Sequence, residues 1–142
     1  MKILIVSGGI IHDHAWSTGQ LVDLLTARRP AQCRVVAGPE ELTDENLKWA
    51  DLIVVNYTGG KLSKDQEKAL MAFVDRGGGL VGVHSAADSF KESKAYLKLL
   101  GCEFQTHGPP TPIRIHLTDP KHQITAAVKD EFVIYAAPVG KI

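Results

Sequence analysis

The sequence predicts an α/β domain in which helices cover both faces of a parallel sheet, and three observations carry that prediction. Two apolar runs rich in β-branched residues, "KILIVS" at 2–7 and "DLIVVNY" at 51–57, are nearly continuous, as strands buried on both faces are. Segments of helical spacing, each opening on a capping residue, lie between the strand-like runs. Alternating strands and helices then call for right-handed crossovers that lay each helix back on the sheet. At 142 residues the expectation is one domain, 1–142, large enough to bury about two thirds of its unfolded surface.

In chain order, "KILIVS" is the first strand and ends at Gly8-Gly9. Leu21, Leu24, Leu25 and Arg28 follow at helical spacing, with Ser17 or Thr18 as the expected N-cap and Pro30 as the stop. "CRVVAG" reads as a second strand and "TDENLKWA" as a short helix capped by Thr43 or Asp44, with Leu47 and Trp49 as its apolar contacts. After the third strand, Ser63 and Gln66 have capping-box spacing, and Leu70, Phe73 and Val74 form the apolar stripe of the clearest helix. "GLVGVHS" is the fourth strand. Ser89 is the expected cap of a further helix carrying Tyr96, Leu97 and Leu100, closed by Gly101. Beyond it the alternation weakens into short strands, "CEFQ", "PIRIHLT" and "EFVIY", and a tail "AAPVGKI" too short for another strand and helix.

Composition narrows the function classes. Sixteen basic residues balance sixteen acidic ones, so no charge field argues for nucleic acid or an anionic membrane, and a small neutral ligand is the easier fit. Two cysteines, Cys33 and Cys102, have neither C-x-x-C spacing nor the density of a disulfide scaffold. With no run approaching the roughly 20 apolar residues of a membrane span and no signal-peptide pattern, the expected location is cytoplasmic.

The stretch "GGGLVGVHSAADSF" at 77–90 holds the strongest local signals. Gly77, Gly79 and Gly82 match G-x-G-x-x-G, but a dinucleotide fingerprint follows a strand and opens a helix, whereas these glycines follow a helix and open a strand. Their simplest role is a helix cap and a tight turn. A Walker loop fails as well, since Gly60-Lys61 lacks the earlier glycine and the following hydroxyl residue. Gly82, inside the strand, marks a close approach by a neighbour. The strand then runs into His84-Ser85 in the manner of a strand-to-helix elbow that lifts one side chain above the sheet. A hydrolase would need serine at position 84 and an amidotransferase cysteine; the chain has histidine there, which disfavours covalent acyl chemistry.

Histidines supply the rest. His12 and His14 follow the first strand, Asn56 and Tyr57 the third, and His84 and Ser85 the fourth, all at carboxyl ends, where doubly wound sheets bind ligands. In a sheet ordered 2-1-3-4 these groups converge on one cleft, and His107 reaches it if its segment packs beside the fourth strand. Convergent imidazoles suit proton transfer near neutral pH, or a divalent metal such as zinc held by His12, His14 and His84. Asp13 and Asp88 are candidates either to orient these histidines or to cap helices. Trp16, Tyr57 and Phe90 offer flat apolar surface for a sugar ring, or simply pack in the core.

At "GGGLVGVHSAADSF", "AYLKLLGCEFQTH" and "DPKHQIT", preceded by "VVNYTGGKLSKDQEKALMAFVDRGGG", the chain resembles the ThuA-like family, named for trehalose utilisation, over roughly residues 2–135. The resemblance implies a flavodoxin-like sheet of the class I glutamine amidotransferase type, with His84 in the place of the lost cysteine. It further implies carbohydrate metabolism on keto-sugars or keto-glycosides, and matches His12, His84, Ser85 and His107 to motif positions. Departures from the family pattern are Gly108 between His107 and Pro109, and Gln123 after His122 in place of proline. Where the family has an acidic segment and a further strand-rich section, this chain reads "FVIYAAPVGKI", so the C-terminal part of the family fold is expected to be missing.

The resulting expectation is His-centred acid–base chemistry. His84, His12 and Ser85 are catalytic in it, backbone donors around Ser85 and Ala86 polarise a carbonyl oxygen, and His107, Asn56, Tyr57, Asp88 and Trp16 bind substrate. The alternative is a non-catalytic sugar-binding or vestigial module. An exposed sheet edge adds the expectation of a homo-oligomer.

Overall fold

The computed structural model describes residues 1–27 and 30–136. Strands β1 (Lys2–Gly9), β2 (Gln32–Val36), β3 (Leu52–Thr58) and β4 (Gly79–Gly82) form a sheet of order β2-β1-β3-β4. Every neighbouring pair is parallel. The predicted α/β class and strand order are therefore correct. By its contacts the chain divides into two compact units, Met1–Glu103 and Phe104–Ile142.

Alternation along the strands sorts the core of the first unit into two layers, because successive side chains point to opposite faces. Leu4, Val6, Ile53 and Val55 pack with Leu47, Leu70, Phe73, Tyr96 and Leu97. These come from α2 (Asp44–Trp49), α3 (Lys64–Asp75) and α4 (Lys94–Leu100). Ile3, Ile5 and Val54 face the other way, onto Leu21, Val22 and Leu25 of α1 (His14–Thr26). The first layer is much the thicker. Its largest fully buried rings, Tyr96, Phe73 and Phe90, stabilise the fold by about 1.5–3 kcal/mol each through burial.

Caps explain where these helices begin. Thr43 Oγ1 accepts from Asn46 N, and the Ser63–Gln66 capping box is present in both directions. Two expected caps are displaced. Asp13, not Ser17 or Thr18, caps α1 by accepting from Trp16 N at 2.9 Å, which draws His14 out of the loop and into the helix. Leu24 consequently faces solvent, 67% exposed. Ser93, not Ser89, caps α4, since the residues after β4 form a 3-10 turn, His84–Asp88, that takes Ser89 for its own end. Arg28, counted with the spacing of α1, lies outside the described residues.

The helix α3 ends as a paired C-terminal cap: Gly78 N donates to Phe73 O at 3.0 Å and Gly77 N to Val74 O at 2.8 Å, with Gly77 at φ 97°. Gly82 does make room, since a Cβ there would lie 2.5 Å from Leu100 Cδ1 and 3.0 Å from Ala86 Cβ.

The second unit holds an antiparallel pair, β5 (Thr111–His116) and β6 (Glu131–Ala136), with an ion pair between Arg114 and Glu131. "CEFQ", expected as a strand, is irregular. Residues 137–142, most of the tail read as too short for further elements, lie outside the described residues. Among the described residues no helix is long and apolar enough to cross a membrane.

Candidate functional site

The layer between α1 and the sheet changes character along the strands. Toward the amino ends it is apolar (Ile3, Ile5, Val54), and toward the carboxyl ends the same register continues as Ser7, Asn56 and Thr58. Buried polar groups must find partners, and these do. Thr18 Oγ1 lies 2.6 Å from Ser7 Oγ, and Asn56 Nδ2 donates to Ser17 Oγ and Thr18 Oγ1, each at 2.9 Å. Thr58 is 2% exposed, and its Oγ1 lies 3.0 Å from His14 Nε2 and donates to Ser85 Oγ at 2.7 Å. The site therefore has a polar floor locked between α1, β3 and the 3-10 turn.

That turn is the elbow. Val83 stays extended and keeps the ladder through Val83 N to Val55 O at 2.9 Å. His84 then swings to φ 50°, a left-handed conformation that side chains other than glycine adopt only when the surroundings enforce it. Here the enforcement is visible: Ser85 Oγ and Ser89 Oγ donate to Tyr57 O at 3.0 and 2.6 Å, and Phe90 N donates to Gly59 O at 3.1 Å. The turn is stitched to the end of β3.

Above the floor stand the imidazoles. His12 and His84 are exposed and meet edge to face with ring centroids 4.5 Å apart. His14 is buried, 5.9 Å from the His12 ring and stacked at 6.5 Å on Tyr57. Tyr57 stacks in turn on Phe90 at 5.4 Å. Partial burial first, then the neighbouring His12 and His14 imidazoles, hold the His84 pKa below the ordinary histidine value. A neutral imidazole poised beside a second one can accept a proton near neutral pH.

A family model described as "ThuA: Trehalose utilisation" matches residues 2–136. The chain belongs to the ThuA family. Two solved structures share its fold. A putative ThuA-like protein from Bacteroides uniformis is 23% identical with a TM-score of 0.76, over 98% of this chain and 59% of that one. A putative ThuA-like protein from Parabacteroides merdae is 13% identical with a TM-score of 0.74, over 98% of this chain and 62% of that one. The chain thus spans about three fifths of the length of each. No curated protein matches it.

In this ThuA chain the sheet edge brings together His12, His14, His84, Ser85, Asn56 and Tyr57, six of the residues singled out from sequence. Asn56 and Ser85 lie in the floor, 3% and 7% exposed, with the Ser85 hydroxyl engaged by Thr58 and the Tyr57 carbonyl. Trp16 projects from the first turn of α1, 67% exposed. Asp88 forms an ion pair with Lys91 at 2.9 Å, while Asp13 takes the capping role. His107 belongs to the second unit, its Nδ1 2.8 Å from Gly108 O and its ring beside Phe104. Of the two backbone donors expected to polarise a carbonyl, Ala86 N is already committed to Val83 O at 3.0 Å, because the 3-10 turn closes on that bond; Ser85 N remains.

His12, His14 and His84 are the nearest approach to a metal-ligand set in the site, yet among the described residues no group of three or more His, Cys, Asp or Glu is arranged to hold a metal ion. The residue that sequence reasoning missed is Thr58. A signal for it existed in β3, where positions 52, 54, 56 and 58 read Leu, Val, Asn, Thr, one face turning polar at the ligand-binding end.

Proposed function

We propose that this chain works in carbohydrate metabolism, taking a keto-sugar or keto-glycoside at the carboxyl edge of its sheet and moving protons by imidazole acid–base chemistry, as in enolisation, isomerisation or elimination. The observation that carries the reading is the His12–His84 pair, 4.5 Å between centroids on an exposed rim. Two imidazoles that close resist carrying two positive charges, so one acts as base while the other acts as acid. His84 is the base. It takes the proton from the carbon beside the keto group, the C–H electron pair moves into an enolate, and Ser85 N–H stabilises the developing oxyanion. His12 returns a proton to the product. The trehalose-utilisation description of the family supports the substrate class, as does the balanced charge of the chain.

The test is incubation of the full chain with keto derivatives of trehalose and other glycosides, with and without added zinc, followed by separation of products. Turnover that appears only with zinc would give His12, His14 and His84 a metal-holding role. Binding by calorimetry without turnover would replace the enzyme by a sugar-binding module, which the committed Ala86 N–H favours. Self-association belongs to the same reading. Val133 and Tyr135 of β6 are 61% and 74% exposed on a two-stranded pair whose outer edges recruit other chains, so light scattering should give a mass above the monomer's.

A further inference from the structure

The buried floor of the site has a hydrogen-bond direction, and that direction selects one tautomer of His14. The Tyr57 carbonyl oxygen can only accept, so the Ser85 hydroxyl, 3.0 Å away, turns its hydrogen there. The opposite orientation would leave lone pairs facing each other across that gap. With its hydrogen committed, Ser85 Oγ accepts from Thr58 Oγ1 at 2.7 Å. The single Thr58 hydroxyl hydrogen is then committed as well, so Thr58 Oγ1 accepts the remaining contact, from His14 Nε2 at 3.0 Å. A neutral imidazole carries one N–H; here it is on Nε2, and Nδ1 is a bare lone pair. His14 is only 7% exposed, and its Nδ1 is buried with no hydrogen-bond partner among the described residues. Nearly all buried polar atoms are paired, so an acceptor beside an imidazole pair with no partner from the chain has a chemical preference for a donor.

We infer that His14 Nδ1 is the site's acceptor for a ligand hydroxyl, and that Thr58 is the positioning residue that sets its tautomer. The inference rests on the sugar reading above for its ligand and deepens it. A lone pair takes an O–H donor and repels the oxygens of a carboxylate or phosphate, so the group selected at this position is a neutral hydroxyl, as a polyol such as a sugar supplies. The side chain that gives way to admit the hydroxyl is His12, whose ring adjoins His14 at 5.9 Å and whose exposure permits fast rotamer changes. Thr58 touches no ligand and acts through His14.

The test is imidazole nitrogen NMR on the full chain at mildly alkaline pH. Without ligand, His14 should carry its hydrogen on Nε2 and show an unprotonated Nδ1 resonance. Thr58→Val should move that spectrum toward a mixture of tautomers, and Thr58→Ser, which keeps the hydroxyl, should restore it. A His14 hydrogen on Nδ1 in the unaltered chain, or a Thr58→Val spectrum identical to the original, overturns the tautomer assignment. Trehalose or its keto derivative should then shift the Nδ1 resonance, while acetate, which at this pH offers only acceptor oxygens, should not. Absence of that shift overturns the acceptor role, whether or not other resonances move. The ligand-free tautomer and the separate turnover assay distinguish this failure from failure of the keto-sugar reading.

Discussion

Thr58 and His84 stand at the ends of neighbouring strands, yet Thr58 is 2% exposed and hydrogen-bonded on both sides, whereas His84 is exposed and meets the His12 ring. The two represent two layers of one sheet edge, a polar floor and an imidazole rim. In the floor every hydroxyl is answered by another group, so a change there leaves a buried atom unpaired and damages the fold. On the rim water can replace a lost partner, so a change there should leave the fold intact and damage only chemistry. The contrast separates residues that build the site from residues that use it.

The largest expected effect would come from the rim. His84→Gln should lower keto-glycoside turnover by about 10²–10⁴-fold, the usual contribution of a positioned acid or base, while urea unfolding moves by no more than about 0.5 kcal/mol. Unchanged turnover removes His84 from the mechanism. A floor variant should invert the pattern. Thr58→Val leaves His14 Nε2–H without a buried partner and removes the donor to Ser85 Oγ, which keeps its bond to Tyr57 O, and should cost about 1–3 kcal/mol in urea unfolding, with Thr58→Ser losing less. Equal stability of Thr58→Val and the original chain would mean that the floor is not locked as described.

The elbow joins the layers and should respond in both respects. Gly82→Ala pushes a methyl group against Leu100 Cδ1 and Ala86 Cβ. Leu100 can yield at its flexible end, but Ala86 belongs to the turn that carries His84, so a cost of about 1–2 kcal/mol is expected from overpacking. Any turnover should fall with it. A variant as stable as the original shows that α4 and the turn can shift together.

Sequence reasoning succeeded where local signals act alone. The apolar runs of β1 and β3, the Ser63–Gln66 box and the glycines after α3 each specify their own geometry within a few residues, and topology then brought His12 and His84 to one edge. It failed where several residues offered the same signal. Asp13, Ser17 and Thr18 can all cap a helix, and the choice fell to Asp13 because Ser17 and Thr18 are needed by Asn56. Ser89 and Ser93 pose the same ambiguity, resolved when Ser89 is drawn to the Tyr57 carbonyl. Thr58 shows a related limit: the polar turn of one β3 face marks the position, but its partners are 44 and 27 positions away in the chain, and nothing near it in sequence announces them.

The smallest expected effect tests whether the rim feels its own charge. Burial, and then His12 and His14, depress the His84 pKa in the folded chain, so just below the ordinary histidine value of about 6.5 the unfolded chain binds more protons than the folded one. Stability then rises with pH through that window. The contribution is complete above the ordinary value and is lost as pH falls through the folded one. Because His84 is exposed, solvent screens the effect and the slope should be shallow. Urea midpoints measured from neutral to mildly acidic pH should fall more steeply for the original chain than for His84→Gln, whereas Thr58→Val, which leaves the rim in place, should keep the original slope from a lower starting point. Parallel curves for the original and His84→Gln would show that crowding of the imidazoles costs the folded state nothing, and would weaken the case that His84 is held neutral to act as a base.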